Sequence, residues 1–448
     1  MSQDSRHFYQ QMLTIAIPIT IQNLIVTSLN TLDTVMISTL GAQTIAGVGL
    51  ANQIFFLFML ISFGIGSGAS VMISQYYGRE NMQQVRKINA LASMLSMLTG
   101  LIFSFLAVVF PRQILGMMIQ DPEVILQGTK YLKVVAWSYV ITGFSFANGI
   151  SLRSTGNPRG PLHASIISFI FNAFFNYALI FGVMGFPRLG VVGAAVGTII
   201  ARIVEFLMII YVSRTYGGPL SGSLKDMLQF TKDDFQQFFT ITTPVILNET
   251  IWALGQVMYN VSYAIVGTEA TAAIQVVVAI QNIAFVIIRG LSNACSIMLG
   301  NDIGRGHVDR VQSYAWRFLR MGLIAGVIIG AILHLTPQLT LGLFGSLSPS
   351  VYNTAQSLLK VMGVLFIIKA FNSILIVGVL RGGGDTRYSM LVELFCVWLI
   401  GVPLAYFGAS YFHLTIEWVV ILATMEEVVK TCIAIFRVKS AKWIHEMS

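Results

Sequence analysis

Twelve apolar runs, most of them about 20 residues or longer, recur along this 448-residue chain and leave it one broad class of fold. They cover residues 10–36, 47–73, 91–110, 127–150, 162–183, 192–212, 238–264, 273–299, 318–336, 354–379, 389–409 and 417–437. As a helix, a run of about 20 residues crosses a hydrocarbon core of about 30 Å. Only 10% of the residues are charged, against about a quarter in a soluble domain, and the mean hydropathy is +0.76. Too little charge remains to cover a water-facing surface. The chain therefore reads as an all-α membrane protein with twelve transmembrane helices.

The net charge of +8 is not spread evenly. One alternating set of connections holds Arg79, Arg86 and Lys87, then Arg153 and Arg159, Arg214, Lys225 and Lys232, Arg305 and Arg310, and Arg381 and Arg387. The tails add Arg6, Arg437, Lys439 and Lys442, whereas the opposite set holds Arg112 and Arg188, with Lys130 and Lys133 at a span edge. By the positive-inside rule both termini are expected in the cytoplasm, in a multi-pass protein of the cytoplasmic (inner) membrane. The basic excess sets orientation, and no nucleic-acid partner is expected. The polar opening MSQDSRHFYQQ lacks the pattern of a cleavable signal. Cys295, Cys396 and Cys432 lie in apolar runs without CxxC spacing, and the six histidines show no ligand spacing. Phosphate-cradling, nucleophile-elbow and HExxH motifs are missing from the sequence, so no enzyme activity and no cofactor are expected.

The chain also repeats itself. PITIQNLIVTSLNTLDTVMISTLGAQTIAGVG aligns without gaps on PVILNETIWALGQVMYNVSYAIVGTEATAAIQ. Pro18 and Pro244, Gly64 and Gly290, Arg79 and Arg305, and Pro111 and Pro337 all differ by 226. Further on, RSTGNPR and RGGGDTR align at an offset of 228. Each half holds six spans, an even number, so the halves share one orientation, as in parallel-repeat transporters. Two pseudo-symmetric six-helix lobes, 1–220 and 221–448, are expected around a central cleft, joined through SRTYGGPLSGSLKDMLQFTKDD. Alternating access uses such an arrangement.

These residues resemble the multidrug and toxic compound extrusion (MATE) family: the PITIQNLIVTSLNTLDTVMISTLG and PVILNETIWALG pair, followed by LRSTGNPR and LRGGGDTR. The resemblance covers essentially the whole chain. It implies a secondary active antiporter that exports small organic, cationic compounds in exchange for H⁺ or Na⁺. It places a cation-coupling group at Asp33, Asn172, Asn176 and Thr198. Some members carry a second aspartate where this chain has Asn176, and others an acid near Lys369. The alternative within transport is a flippase of lipid-linked precursors, for which Arg289 and Lys369 would supply a basic cavity. A membrane-embedded enzyme would need a His, Ser or Asp constellation that cannot be assembled here.

The buried charges carry the remaining expectations. A carboxylate at the bilayer centre costs about 2.5 kcal/mol or more, so each is a candidate site. Glu249, Arg289, Lys369 and Glu393 form a substrate or gating set whose two acids and two bases neutralise one another, with Glu249 paired to Arg289. Arg202 and Glu205 are three apart and pair on one helix face, and Lys430 partners Glu426 and Glu427. Asp33 is left without an obvious base, and such an acid can exchange a proton or hold Na⁺. Asn172 and Asn176, four apart, share a face and could complete a Na⁺ site with Asp33. Arg153 and Arg381 read as caps of helix ends. Methionine and phenylalanine supply packing, lipid contact and a soft pocket for flat compounds. A monomer in lipid is expected.

Overall fold

A computed structural model describes residues 3–342 and 348–447. Twelve long helical rods run through them: α1 Gln3–Ser38, α2 Ala42–Gly78, α3 Met82–Val109, α4 122–154, α5 Arg159–Phe181 and α6 Val191–Thr215. The second half gives α7 Lys232–Val266, α8 Thr268–Gly304, α9 Val308–Leu335, α10 Pro349–Arg381, α11 Thr386–Ser410 and α12 Ile416–Lys439. No β-strand occurs among the described residues. Nine of the rods are apolar and unbroken enough to cross a membrane on length and composition alone. The other three have visible reasons to fall short. A 3₁₀ turn at Ala136–Ser138 interrupts α4, while α7 carries Asn248, Glu249 and Asn260, and α12 carries Glu426, Glu427 and Lys430.

Caps set the ends. Asp121 accepts from the backbone N–H groups of Glu123 and Val124, with Pro122 at the first helical position. Ser348 does the same for Val351 ahead of Pro349. α10 does not end as a regular helix. Its last stretch, Ile374–Arg381, widens into π turns, and Val397–Gly401 does likewise within α11. Such widenings recur at functional sites.

By internal packing the chain forms two compact units. A central unit is Ile21–Ile246, and a split unit joins the chain up to Thr20 to everything from Leu247 onward. Both cuts fall two residues beyond a proline, Pro18 in α1 and Pro244 in α7, where the missing N–H breaks the helical hydrogen-bond ladder. The lobes 1–220 and 221–448 follow the repeat, whereas packing follows these two helices and exchanges their first halves. In the split unit, Phe8, Met12, Ile15 and Ile19 are buried with Met298, Tyr314 and Phe318. The Phe8 ring meets the Tyr314 and Phe318 rings edge-on at 4.6 and 5.0 Å. In the central unit, Gly64 and Gly68 leave α2 without side chains where α7 passes. A β-carbon at either would lie 2.8 Å from the Ile246 Cα or 2.7 Å from the Thr242 Cα.

Large apolar side chains stay exposed along the rods, as Leu98, Leu101, Ile102 and Phe105 do on α3 and Ile324, Val327 and Ile328 on α9. In lipid these faces carry no penalty. The polar C-terminal tail folds back instead of trailing. Trp443 is fully buried and its indole N–H donates to Gln312 Oε1 at 3.1 Å. Ile444 bridges to Gly384, and the His445 N–H donates to the Gly383 carbonyl at 2.8 Å. Asp385 ties the same loop to Arg437 at 2.7 Å and to His445 at 3.4 Å.

Candidate functional site

In the central unit, α1 brings Asp33 to the buried Asn172 and Asn176 of α5. Asn176 Nδ2 donates to Asp33 Oδ1 at 2.6 Å and to Asn172 Oδ1 at 3.2 Å. The four-residue spacing that puts both amides on one face is what allows this sharing. Gly197 on α6 makes the room: a β-carbon there would lie 2.1 Å from Asn176 Oδ1. Two buried atoms beside Asp33, Asn172 Nδ2 and Asn176 Oδ1, have no hydrogen-bond partner. The group thus holds one spare donor and one spare acceptor.

Thr198 lies on α6 close by, but its hydroxyl donates to its own helix at Ala194 O, 2.9 Å away. Tyr131 on α4 faces both Thr198 and Asp33, a neighbour that the sequence reading missed. Arg202 pairs with Glu205 at 2.8 Å, as their spacing predicts. It faces Asp33 from a longer distance and lies 5.8 Å over the Phe55 ring. Asp33 has no ion pair within contact distance among the described residues.

The split unit arranges its charges differently from expectation. Glu249 Oε1 takes Arg381 Nη2 at 2.7 Å, and Arg381 is only 2% exposed. Asn248 joins them, its amide oriented so that its oxygen accepts from Arg381 Nη2 at 2.9 Å and its nitrogen donates to Ser389 O at 3.2 Å. The expected Glu249–Arg289 pair does not form. Arg289 is exposed on α8 and faces Glu249 only at longer range. Nor is Arg381 a simple helix cap, because the π turns of α10 end on it and it turns inward. Its appearance at the repeated place of Arg153, in an otherwise apolar and glycine-rich stretch, was the available signal.

Glu393 and Lys369 likewise do not complete the expected four-charge set with Glu249. Glu393 pairs with Lys430 at 3.0 Å, and Lys430 also meets Glu427 at 3.5 Å and Glu426 at 4.0 Å. Asn372 Nδ2 donates to Glu427 Oε2 at 2.6 Å, and Thr431 donates to Asn372 Oδ1 at 2.7 Å. Lys369 faces Glu427 and Glu426 without closing an ion pair. Glu249 and Glu393 therefore belong to separate charge groups, one around Arg381 and one around Lys430. Lys430 does partner Glu426 and Glu427, as read from the sequence.

Outside the spans, burial works to raise the Asp385 carboxyl, but the hydrogen bonds and charges of His445 and Arg437 outweigh it. They hold the group below its ordinary value.

The MatE family profile matches residues 18–178 and 244–407, two segments that begin 226 residues apart (244 − 18). A probable multidrug resistance protein NorM from Thermotoga maritima is 25% identical over 438 residues, 97% of this chain and 93% of that protein. An uncharacterized transporter YisQ from Bacillus subtilis is 27% identical over 420 residues, 92% of this chain and 90% of that one. Among solved structures, an outward-facing multidrug resistance MATE family transporter of the MOP superfamily superposes with a TM-score of 0.88. It is 19% identical over 96% of both chains, a likeness of fold.

Proposed function

The chain belongs to the MatE family of membrane transporters, and on that premise we propose that it is a secondary active antiporter exporting organic, cationic compounds. The multidrug resistance named for several relatives supports the substrate class. The basic bias of alternate connections supports an orientation with both termini in the cytoplasm. The observation that carries the coupling role is Asp33: a carboxylate within a span, held by one amide, with its nearest cation committed to Glu205. Binding of the coupling ion there would favour the conformer that releases substrate outside.

The proton is the better fit of the two coupling ions. A hard cation such as Na⁺ asks for several oxygen ligands, and Asn176 turns its NH₂, not its oxygen, toward Asp33. The flippase alternative asks for free basic groups, yet Lys369 faces two glutamates and the buried Arg381 is engaged by Glu249. Vesicles with imposed H⁺ or Na⁺ gradients test the proposal. Wild-type protein should export substrate on a proton gradient alone, and Asp33→Asn at matched expression should lose at least about tenfold of that rate while unfolding at the wild-type temperature. Gradient-driven export at the wild-type rate in Asp33→Asn would overturn the assignment. Export that follows Na⁺ and ignores the proton gradient would replace the proton with the metal.

A further inference from the structure

The repeat relates the two charged groups in a way that neither shows alone. The 228 offset of the arginine loops lays α12 on α6, so Glu426 takes the place of Thr198 (426 − 228 = 198) and Lys430 that of Arg202 (430 − 228 = 202). The 226 offset lays Tyr259 on Asp33 (259 − 226 = 33). In the central unit the acid stands on the first helix of the repeat and the hydroxyl on the sixth. In the split unit the hydroxyl stands on the first and the acid on the sixth, with a basic residue one turn further along in both.

We propose that Glu426 is a second proton-binding carboxylate, carried by the split unit independently of Asp33. Glu426 is 4% exposed and Tyr259 5%. Glu426 Oε2 and the Tyr259 hydroxyl are buried and face one another, and neither has a hydrogen-bond partner elsewhere. Gly401 on α11 gives the tyrosine its place, since a β-carbon there would fall 2.0 Å from its oxygen.

Charge balance singles out the same residue. Glu426 is faced by Glu427 and Lys430 on α12, Glu393 and Cys396 on α11, Lys369 on α10, and Tyr259 and Tyr263 on α7. Arg381 is engaged by Glu249 and reaches the group only through Glu393. Three carboxylates thus share two ammonium groups, and an uncompensated charge buried in a membrane is costly. Glu393 has the shortest contact with Lys430, and Glu427 has both Lys430 and Asn372, which leaves Glu426 as the acid least held as an anion. A proton on Oε2 brings the group to neutrality and can be donated or shared toward Tyr259. On release the O–H bond breaks, its electron pair stays on Oε2, and the proton leaves past Glu427, whose side chain at 15% exposure is the most open of the three acids. The ligand is a proton and not a metal ion, because the Lys430 ammonium already fills the position a cation would need.

Infrared difference spectra of the purified full-length protein between about pH 6.5 and 10 test this, since exposed carboxylates are already ionised over that range. Neither substrate nor gradient is present, so this result and the vesicle result fail separately. The Asp33→Asn variant should keep a protonated-carboxyl C=O band that is lost as pH rises. Asp33→Asn/Glu426→Gln should lack it, Tyr259→Phe should shift its frequency, and Lys369→Met should move its loss to higher pH. If Glu426→Gln does not fold, the last two variants carry the test. Absence of the band in Asp33→Asn, its survival in Asp33→Asn/Glu426→Gln, or a band unmoved by both Tyr259→Phe and Lys369→Met in the Asp33→Asn background would overturn the proposal.

Discussion

At the scale of single residues, Glu249 is the instructive case, because a carboxylate in an apolar run must be held by something, and its holder sits at the far end of another helix. Arg381 reaches it at 2.7 Å, with Asn248 bracing the guanidinium. Removing one partner of such a buried pair costs about 3–5 kcal/mol, chiefly from the charge left behind, whereas removing both is far milder. Glu249→Gln and Arg381→Met should therefore each lower the unfolding temperature in detergent sharply, and the double variant should lose much less than their sum. Glu249→Gln combined with Arg289→Met should instead be additive within about 0.5 kcal/mol, since Arg289 is exposed and makes no close contact with Glu249. Additive losses for the Arg381 pair would show that the two do not hold one another. The shared face of Asn172 and Asn176 was legible from their i, i+4 spacing, whereas Asp33 beside them was implied by the family resemblance and not by any spacing. Arg381 was not legible, because helical periodicity says nothing about a π segment that rotates the residue ending it.

At the scale of elements, the C-terminal tail latches the loop that follows Arg381, through Trp443, the Gly384–Ile444 bridge and Asp385. The Asp385 carboxyl lies below its ordinary value here, and it rises when the tail detaches and takes His445 with it, while Arg437 of α12 stays in place. Between those two values the detached form binds more protons, so attachment strengthens as pH rises through this window and weakens as pH falls through the lower value. Limited proteolysis of the tail should accelerate as pH drops below the usual carboxylate range of about 4. Asp385→Asn should flatten that dependence while making cleavage faster at neutral pH. A pH profile that Asp385→Asn leaves unchanged would assign the tail's attachment to Trp443 packing alone. The tail's basic residues read from sequence as an orientation signal, and nothing in their pattern marks a docking site. The indole fits there because position 383 is a glycine, where a β-carbon would fall 2.1 Å from the Trp443 ring.

At the scale of the whole molecule, the twelve runs, their equal division and the 226-residue repeat were all legible, because apolar length and internal periodicity survive in sequence. The exchange of half-helices was not. It depends on close approach, where Gly64 and Gly68 accept Ile246 and Thr242 in the central unit, and where Phe8 fills a slot between Tyr314 and Phe318 in the split one. Each unit is thus completed by a segment encoded in the other half of the gene product. A chain cut in the polar connection after residue 220 supplies neither half with its own missing piece. Fragment 1–220 alone lacks the α7 segment that covers Gly64 and Gly68, and fragment 221–448 alone lacks Phe8, Met12, Ile15 and Ile19. Expressed singly, each fragment should be degraded or aggregate in the membrane. Expressed together, they should co-purify as one complex that unfolds near the intact protein's temperature. Replacing Gly64 and Gly68 by leucine in fragment 1–220 should abolish that co-purification, because the bulk occupies the path of α7. Single fragments that purify as monodisperse, thermally stable proteins would mean that the repeat, not the exchanged packing, defines the folding unit.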